Sequence, residues 1–147
     1  NLNGENISVN LKGMVDRIDR LSNGTIRMID YKTGSFDKKT AIKFVDEFDS
    51  TKADHAFQLL TYLVMFSSTS SVDAVQPTVF YLRSQQVEFP ITVSQEKVKL
   101  ENEELLSYGK ERVTELLSDL FRKETSFSQT EDQMVCGYCD FKEVCQR

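Results

Sequence analysis

The sequence lacks the features that would mark a membrane or secreted protein. No apolar run approaches the roughly 18 residues of a membrane span, and no basic and apolar signal peptide opens the chain. The cysteines number only three and lie between residues 136 and 145, whereas a secreted disulfide framework needs an even count spread along the chain. We therefore expect a protein of the reducing cytoplasm.

An excess of basic residues is also missing. The chain carries 18 Lys and Arg against 23 Asp and Glu, for a net charge of −5 in 147 residues. This balance excludes a simple polybasic nucleic-acid binder, but not a nuclease whose carboxylates hold metal ions that then meet phosphate. With 39% apolar and 28% charged residues, the composition is that of a globular domain. The chain begins at Asn1 without an initiator Met, so we interpret residues 1–147 as one domain, truncated from a longer protein.

Two strands joined by a tight turn are predicted near the start of the chain. Residues 7–20 alternate between two faces, and residues 25–33 are rich in β-branched and other apolar side chains. The Ser22-Asn23-Gly24 segment between them favours a three-residue hairpin loop in which Gly24 is left-handed.

The length of this loop decides which side chains share a face. A three-residue loop places Asp16 opposite Asp30, with Cβ atoms roughly 4.5–5.5 Å apart, and Lys32 follows on the same face. A two-residue turn would instead pair Asp16 with Tyr31. We adopt the three-residue loop, which gathers two carboxylates and one ammonium into a single patch.

Helices are predicted in three later segments. They cover residues 38–47, 53–67 and 102–123. The middle segment is the most apolar and should be largely buried, and Thr51 with Asp54 resembles a capping signal at its start. Asn102 is the expected N-cap of the last helix.

Two further strands complete the expected α/β fold. Residues 78–83 read as a buried strand, and residues 87–93 read as an edge strand because Pro90 cannot donate to a ladder. The tail at residues 124–147 is expected to be irregular and carries the cysteines.

Asp16, Asp30 and Lys32 are the most informative residues in the sequence. A surface Asp–Lys pair worth about 0–1 kcal/mol is one interpretation of them. Against it, charges among apolar neighbours are costly unless they are paired or bound to metal. The apolar residues on the same predicted face are Met14, Ile18, Ile26 and Met28.

A divalent cation would relieve the repulsion between the two carboxylates. Mg²⁺ takes oxygen ligands and retains several waters, and the backbone carbonyl of Tyr31 would add an oxygen to those of Asp16 and Asp30. A bound metal polarises a phosphoryl oxygen and activates water, while Lys32 would position that water or neutralise the developing charge. The set therefore predicts phosphodiester hydrolysis.

Three motifs in this order resemble a known family, the PD-(D/E)XK nucleases of the RecB and AddB type. The motifs are Gly13-Met14-Val15-Asp16-Arg17-Ile18-Asp19, Asp30-Tyr31-Lys32-Thr33-Gly34 and Gln58-Leu59-Leu60-Thr61-Tyr62. The resemblance covers roughly residues 8–147. It implies a restriction-endonuclease-like α/β fold, with a mixed central sheet flanked by helices.

The resemblance also implies roles for individual residues. Asp16 and Asp30 would be metal ligands, Lys32 the catalytic lysine, and Gln58 and Tyr62 supports for substrate or water. By itself, a Gln and a Tyr four residues apart on a helix would be ordinary residues at the edge of a core. Only the position of their helix after the Asp-Tyr-Lys strand indicates that they lie near the site.

The implied activity is that of a Mg²⁺- or Mn²⁺-dependent DNA exonuclease. Its parent would be a helicase–nuclease acting in double-strand break repair and recombination, with a helicase subunit or a helicase domain of the same chain as partner. The DNA would be a single strand or a duplex end, and no membrane is involved. Two alternatives are a CRISPR adaptation nuclease, which shares the motifs and the cysteine tail, and a degenerate nuclease fold that serves as a DNA-binding scaffold.

Cys136, Cys139 and Cys145 have the spacing of metal ligands. Three thiolates do not complete a Cys₄ site for zinc or an iron–sulfur cluster. In the resembling family, the trio joins a distant upstream cysteine around a 4Fe–4S cluster. This chain has no fourth cysteine, and nothing before Asp16 matches the family's upstream metal-binding His or Glu. A zinc module is the alternative.

Three other charged residues receive weaker predictions. Arg17 and Asp19 should lie on the face opposite Asp16, as a structural or DNA-facing pair. His55, the only histidine, is expected at the surface or at a helix start.

Overall fold

The computed structural model describes residues 7–36, 40–42, 53–70, 74–122, 124, 126 and 128–146. The strands are β1 Arg17–Arg20, β2 Ile26–Lys32, β3 Ala41–Ile42, β4 Val75–Tyr81, β5 Glu88–Pro90, β6 Thr92–Gln95 and β7 Val98–Lys99. The helices are α1 Asp54–Ser67, α2 Asn102–Leu120 and α3 Gln133–Cys136.

The first hairpin has the predicted three-residue loop. The Leu21 amide donates to the Thr25 carbonyl (2.9 Å), and the Gly24 amide donates to the Leu21 carbonyl (2.9 Å). Gly24 is left-handed, with φ of 88°, a conformation that glycine adopts without steric cost. The register follows from this loop, with Arg20 paired to Ile26.

The strand predicted over residues 7–20 is wrong in length, since only Arg17–Arg20 pairs as β1. In this register the next ladder bond would run from the Tyr31 amide to the backbone of Val15. The Asp16 carboxylate accepts that amide instead, at 2.8 Å from Oδ2. A side chain thus occupies the position of the next backbone acceptor, and the pairing ends.

A mixed sheet with the order β1-β2-β4-β5 forms the centre of the fold. Strands β2 and β4 are parallel, and both outer pairs are antiparallel. Helix α1 packs on β4, and α2 packs on α1. The mixed α/β fold predicted from the sequence is therefore confirmed. The most deeply buried apolar residues of the core are Met28, Ala56, Leu59, Leu60, Leu63, Val79, Tyr81 and Val93.

The single strand predicted over residues 87–93 is two strands. β5 is the expected edge of the central sheet, whereas β6 pairs with β3 and β7 in a separate sheet. The Ile91 amide between them donates to the Pro77 carbonyl (3.0 Å). Pro90 pairs with Thr78 beside this bond, so its nitrogen faces away from β4 and the missing amide hydrogen costs no ladder bond, as an edge strand permits. The chain enters the second sheet after Ile91. The other predicted strand, residues 78–83, begins earlier and ends at Tyr81.

Helix α1 agrees closely with the prediction and is largely buried. Thr51, from the predicted capping signal, lies outside the described residues. Helix α2 begins where expected, but its N-cap is Glu101, not Asn102, so that prediction is off by one residue. None of the described helices is both long and apolar enough to cross a membrane.

Two predictions for irregular regions need correction. The short helix expected over residues 38–47 lies mostly outside the described residues, and the described part includes strand β3. The tail is not wholly irregular, because α3 forms one helical turn at Gln133–Cys136, where the Asp132 side chain accepts the Met134 amide.

Candidate active site

Asp30 lies near the carboxyl end of β2 and is only 6% exposed. The Lys32 ammonium lies 2.9 Å from its Oδ2 atom. This ion pair lacks the angle of a hydrogen bond, and Oδ2 is buried without a hydrogen-bond partner among the described residues. A buried carboxylate oxygen in this state retains capacity for a further positive ligand.

Lys32 connects the strand to helix α1. Its ammonium donates to Gln58 Oε1 (2.9 Å), and Gln58 Nε2 donates to the Tyr62 hydroxyl (3.0 Å). Gln58 and Tyr62 are four residues apart and therefore neighbours on one helix face. The structure thus brings together four of the five predicted catalytic side chains in one continuous series of contacts, from Asp30 to Tyr62.

Asp16 is exposed and sits directly before β1. Arg17 pairs with Ile29, so the same register extended by one residue places Asp16 beside Asp30. Its hydrogen bond to the Tyr31 amide holds the carboxylate at the end of the hairpin. The backbone of Tyr31, whose carbonyl is a predicted metal ligand, is thereby tied to Asp16.

The face that carries these groups is only partly apolar. Met28 is fully buried, whereas Met14 and Ile18 are exposed. The cost of charges among apolar neighbours therefore applies to Asp30 more than to Asp16.

Lys32 pairs with Asp30, and Asp16 has no ion-pair partner among the described residues. Within the described residues, no group of three or more His, Cys, Asp or Glu side chains could hold a metal ion. Mg²⁺ does not need such a group, because it is commonly held by one or two carboxylates together with waters and substrate phosphate. Asp16, Asp30 and the Tyr31 carbonyl fit that donor set.

Gly13 contacts this site in a way that the sequence analysis missed. A Cβ atom at Gly13 would lie 2.5 Å from Tyr62 Cε1 and 2.8 Å from Met65 Cε. The backbone that leads to Asp16 therefore rests directly on the Tyr62 ring. The signal was a glycine inside an alternating segment, which often marks a close approach of the backbone.

Besides the Lys32–Gln58 hydrogen bond, a second polar contact between α1 and the sheet involves His55. It lies at the start of α1, as expected, but its side chain is mostly buried instead of at the surface. Its Nδ1 atom lies 2.6 Å from the Tyr81 hydroxyl. Tyr81 is the register partner of Lys32 on the neighbouring strand, so His55 lies one strand from the lysine.

The opposite face of the sheet carries an ion-pair ladder, formed by Arg17, Asp19, Arg27 and Glu88. Asp19 accepts from Arg17 (2.7 Å) and from Arg27 (2.9 Å), and Arg27 also donates to Glu88 (3.0 Å). Hydrogen bonds from Arg27 and then Arg17 hold the pKa of Asp19 below its ordinary value. The Arg27 guanidinium lies 5.3 Å from the centre of the Phe80 ring. Arg17 and Asp19 thus form the structural pair that the sequence predicts, and Arg27 and Glu88 extend it.

The three cysteines of the tail form no disulfide, and each is partly exposed. The Phe141 amide donates to Cys139 Sγ (3.4 Å). The structure does not gather the three thiols into a group that could hold a metal within its described part. Three thiolates that are not clustered do not fit a 4Fe–4S cluster or a zinc site in this chain.

Comparison with known proteins gives one match. A family model of the PD-(D/E)XK nuclease superfamily matches residues 2–146. Neither the curated proteins nor the solved structures contain a significant match.

Proposed function

We propose, from the premise that the chain belongs to the PD-(D/E)XK nuclease superfamily, that it hydrolyses DNA as an exonuclease of the RecB and AddB type. Membership of the superfamily implies a nuclease. The observation that supports the finer proposal is the continuous contact from Asp30 through Lys32 and Gln58 to Tyr62. Each residue of that series belongs to a motif that points to the same chemistry.

Asp16 and Asp30, with the Tyr31 carbonyl, would hold one Mg²⁺ or Mn²⁺ ion. When bound, such an ion polarises a phosphoryl oxygen and lowers the pKa of a bound water. The buried Asp30 Oδ2, which accepts no hydrogen bond among the described residues, supports this assignment. Asp16 contributes from the other strand, and its second role is to fix the hairpin end through the Tyr31 amide.

Lys32 supplies positive charge beside the scissile phosphate. Its ammonium is held between Asp30 and Gln58, so it is already oriented before substrate arrives. A preorganised cation of this kind stabilises the charge that develops in the transition state without the cost of reorientation. Gln58 and Tyr62 keep that orientation and offer a hydroxyl and an amide to the attacking water or the substrate.

The biological setting that we propose is the repair and recombination of DNA double-strand breaks in the cytoplasm. The chain would act on single strands or duplex ends supplied by a helicase subunit or domain. The order of the three motifs, followed by the cysteine tail, supports this setting, and the CRISPR adaptation nucleases share both features. A 4Fe–4S cluster in the parent protein would need a fourth thiolate, because this chain contains three cysteines.

A cleavage assay tests the proposal directly. The chain is incubated with end-labelled linear and with circular single-stranded DNA, in Mg²⁺, in Mn²⁺ and in EDTA. We expect metal-dependent loss of the linear strand, sparing of the circle, and a decrease of about 10²–10³-fold in rate for Lys32→Ala. Asp19→Asn, on the ladder face, is the matched control and should cleave normally.

The same assay separates the alternatives. Cleavage of the circle would indicate an endonuclease. Binding of DNA without cleavage, or a rate that Lys32→Ala leaves unchanged, would favour a degenerate fold that serves as a scaffold.

A further inference from the structure

An exposed phenylalanine is held rigidly beside the candidate active site. Phe36 is 45% exposed. Its ring stacks on Phe89, with centroids 4.2 Å apart and planes at 20°, and it meets Tyr81 edge to face at 5.7 Å. Stacking on Phe89 covers one face of the ring and restricts its rotation. The ring is therefore held in place while part of its surface remains open to solvent.

The loop that carries Phe36 is fixed relative to Lys32. The Lys32 carbonyl accepts from the Leu82 amide (2.9 Å), and the Gly34 carbonyl accepts from the Arg83 amide (3.3 Å). The Phe36 amide donates to Ser84 Oγ (2.6 Å). These three bonds tie the segment after β2 to the turn after β4, four residues from the lysine.

Tyr81 connects the ring cluster to the site itself. It is the register partner of Lys32 on the adjacent parallel strand, so the two side chains emerge on the same face of the sheet. Tyr81 is fully buried and touches both Phe36 and Phe89. The exposed ring therefore packs on β4, the neighbour of the strand that carries Lys32, and on β5 beyond it.

We propose that Phe36 is a stacking platform for an unpaired base of single-stranded DNA, next to the phosphodiester that is cleaved. This inference rests on the proposed function and adds a substrate subsite to it. Aromatic side chains bind single strands by stacking on bases, without regard to sequence, because every base has a π-face. A base within a duplex has both faces covered by its neighbours, so the platform selects unpaired strands.

The rigid support of the ring strengthens this role. A side chain that is already immobilised loses little conformational entropy when a base stacks on it. The net charge of the chain is −5, so stacking supplies affinity that the net charge does not. The competing interpretation is that Phe36 only anchors its loop, in which case its removal lowers stability without a specific effect on DNA.

Binding of labelled oligonucleotides distinguishes these interpretations. The full chain carries Lys32→Ala so that the DNA stays intact, and affinity for a short fluorescein-labelled single strand is measured by anisotropy in Mg²⁺. We expect Phe36→Leu to weaken binding about fivefold or more, and Phe36→Trp to bind at least as tightly as the parent. Tyr138→Leu, which removes a 96% exposed aromatic ring from the tail, is the matched control and should have no effect.

Strands with one abasic site, moved along the sequence, locate the platform. At one position, loss of the base should weaken DNA binding by the Lys32→Ala chain about fivefold or more. The same loss should leave DNA binding by its Phe36→Leu variant unchanged. Equal affinity of the parent and Phe36→Leu, an equal loss at every abasic position, or no binding of single strands at all would overturn the inference. Should Phe36→Leu not fold, the Phe36→Trp variant and the abasic scan of the parent decide. The proposed function is judged separately, by metal-dependent cleavage with Lys32 intact.

Discussion

The two faces of the central sheet carry the same types of charged residue in different arrangements. On the outer face, Asp19 and Glu88 each meet an arginine, and the ion-pair ladder balances two acids with two bases. On the helix-facing side, Lys32 pairs with Asp30. Among the described residues, Asp16 accepts the Tyr31 amide and has no ion-pair partner, whereas both acids of the ladder have one.

The difference extends to individual atoms. Both carboxylate oxygens of Asp19 are hydrogen-bonded, whereas Oδ2 of Asp30 is buried with only the Lys32 ammonium beside it, at 2.9 Å. The ladder also keeps one buried atom without a hydrogen bond among the described residues, Arg27 Nε, but both of its acids are paired with arginine. A network whose acids are all paired has little affinity left for a cation, and its role is structural. An unbalanced and partly buried pair of acids is costly by itself and gains from a cation. The candidate site therefore differs from the ladder in having an acid without an ion-pair partner among the described residues, not in its number of charges.

The largest expected effect comes from removal of the buried carboxylate of the candidate site. Asp30→Asn should lower the rate of DNA cleavage by about 10³-fold or more, because it removes a metal ligand and the partner of Lys32. Asp19→Asn, the equivalent change on the ladder, should retain nearly full activity. Steady-state cleavage of a labelled single strand measures both variants, and equal losses would show that the two faces do not differ in function.

A smaller effect is expected where the backbone touches Tyr62. Gly13→Ala puts a methyl group into the ring, and such overpacking should lower the free energy of unfolding by about 1–3 kcal/mol. In a Tyr62→Ala background the same change should cost much less, because the ring is gone. Chemical denaturation of the four proteins measures this coupling. Additive costs would mean that Gly13 does not rest on the ring.

On the outer face, removal of the Arg27 side chain should affect stability alone. Arg27→Ala loses two partly exposed ion pairs and the contact with Phe80, and should cost about 1–2 kcal/mol in the free energy of unfolding. Cleavage and metal affinity should stay unchanged. A loss of activity larger than the fraction of unfolded protein explains would contradict a purely structural ladder.

The smallest effect is the pH dependence of the ladder. The arginines lower the pKa of Asp19 below its ordinary value of 3.8, so its stabilising contribution is fully present above that pH. It is lost as the pH falls below 3.8 and through the lower, folded-state pKa. Thermal unfolding of the parent and of Asp19→Asn should therefore differ by a constant amount from neutral pH to about pH 5 and converge only in stronger acid. Equal unfolding temperatures of the two proteins at neutral pH would contradict the pairing of Asp19 with the arginines.

Local chemistry explains what could be predicted from the sequence. Gly24 and the loop before it fixed the register that places Asp16 beside Asp30, and helical spacing placed Gln58 beside Tyr62. Both depend only on residues close together in sequence. The α/β fold followed from the same local patterns.

Long-range contacts explain what could not be predicted. The end of β1 depends on a side-chain bond from Asp16 to the opposite strand, and the stacking of Phe36 on Phe89 spans two strands and a turn. The extension of the ladder to Glu88 requires knowing that β5 lies two strands from β2. No periodicity within a segment carries such information.

Calorimetric titration with Mn²⁺ tests the central claim most directly, namely that Asp16 and Asp30 carry an unbalanced charge that binds a divalent ion. The account predicts that the parent chain binds one ion, that Asp30→Asn loses this binding, and that Asp19→Asn retains it. Binding that survives in Asp30→Asn, or a parent chain that binds no ion in the presence of single-stranded DNA, would contradict it.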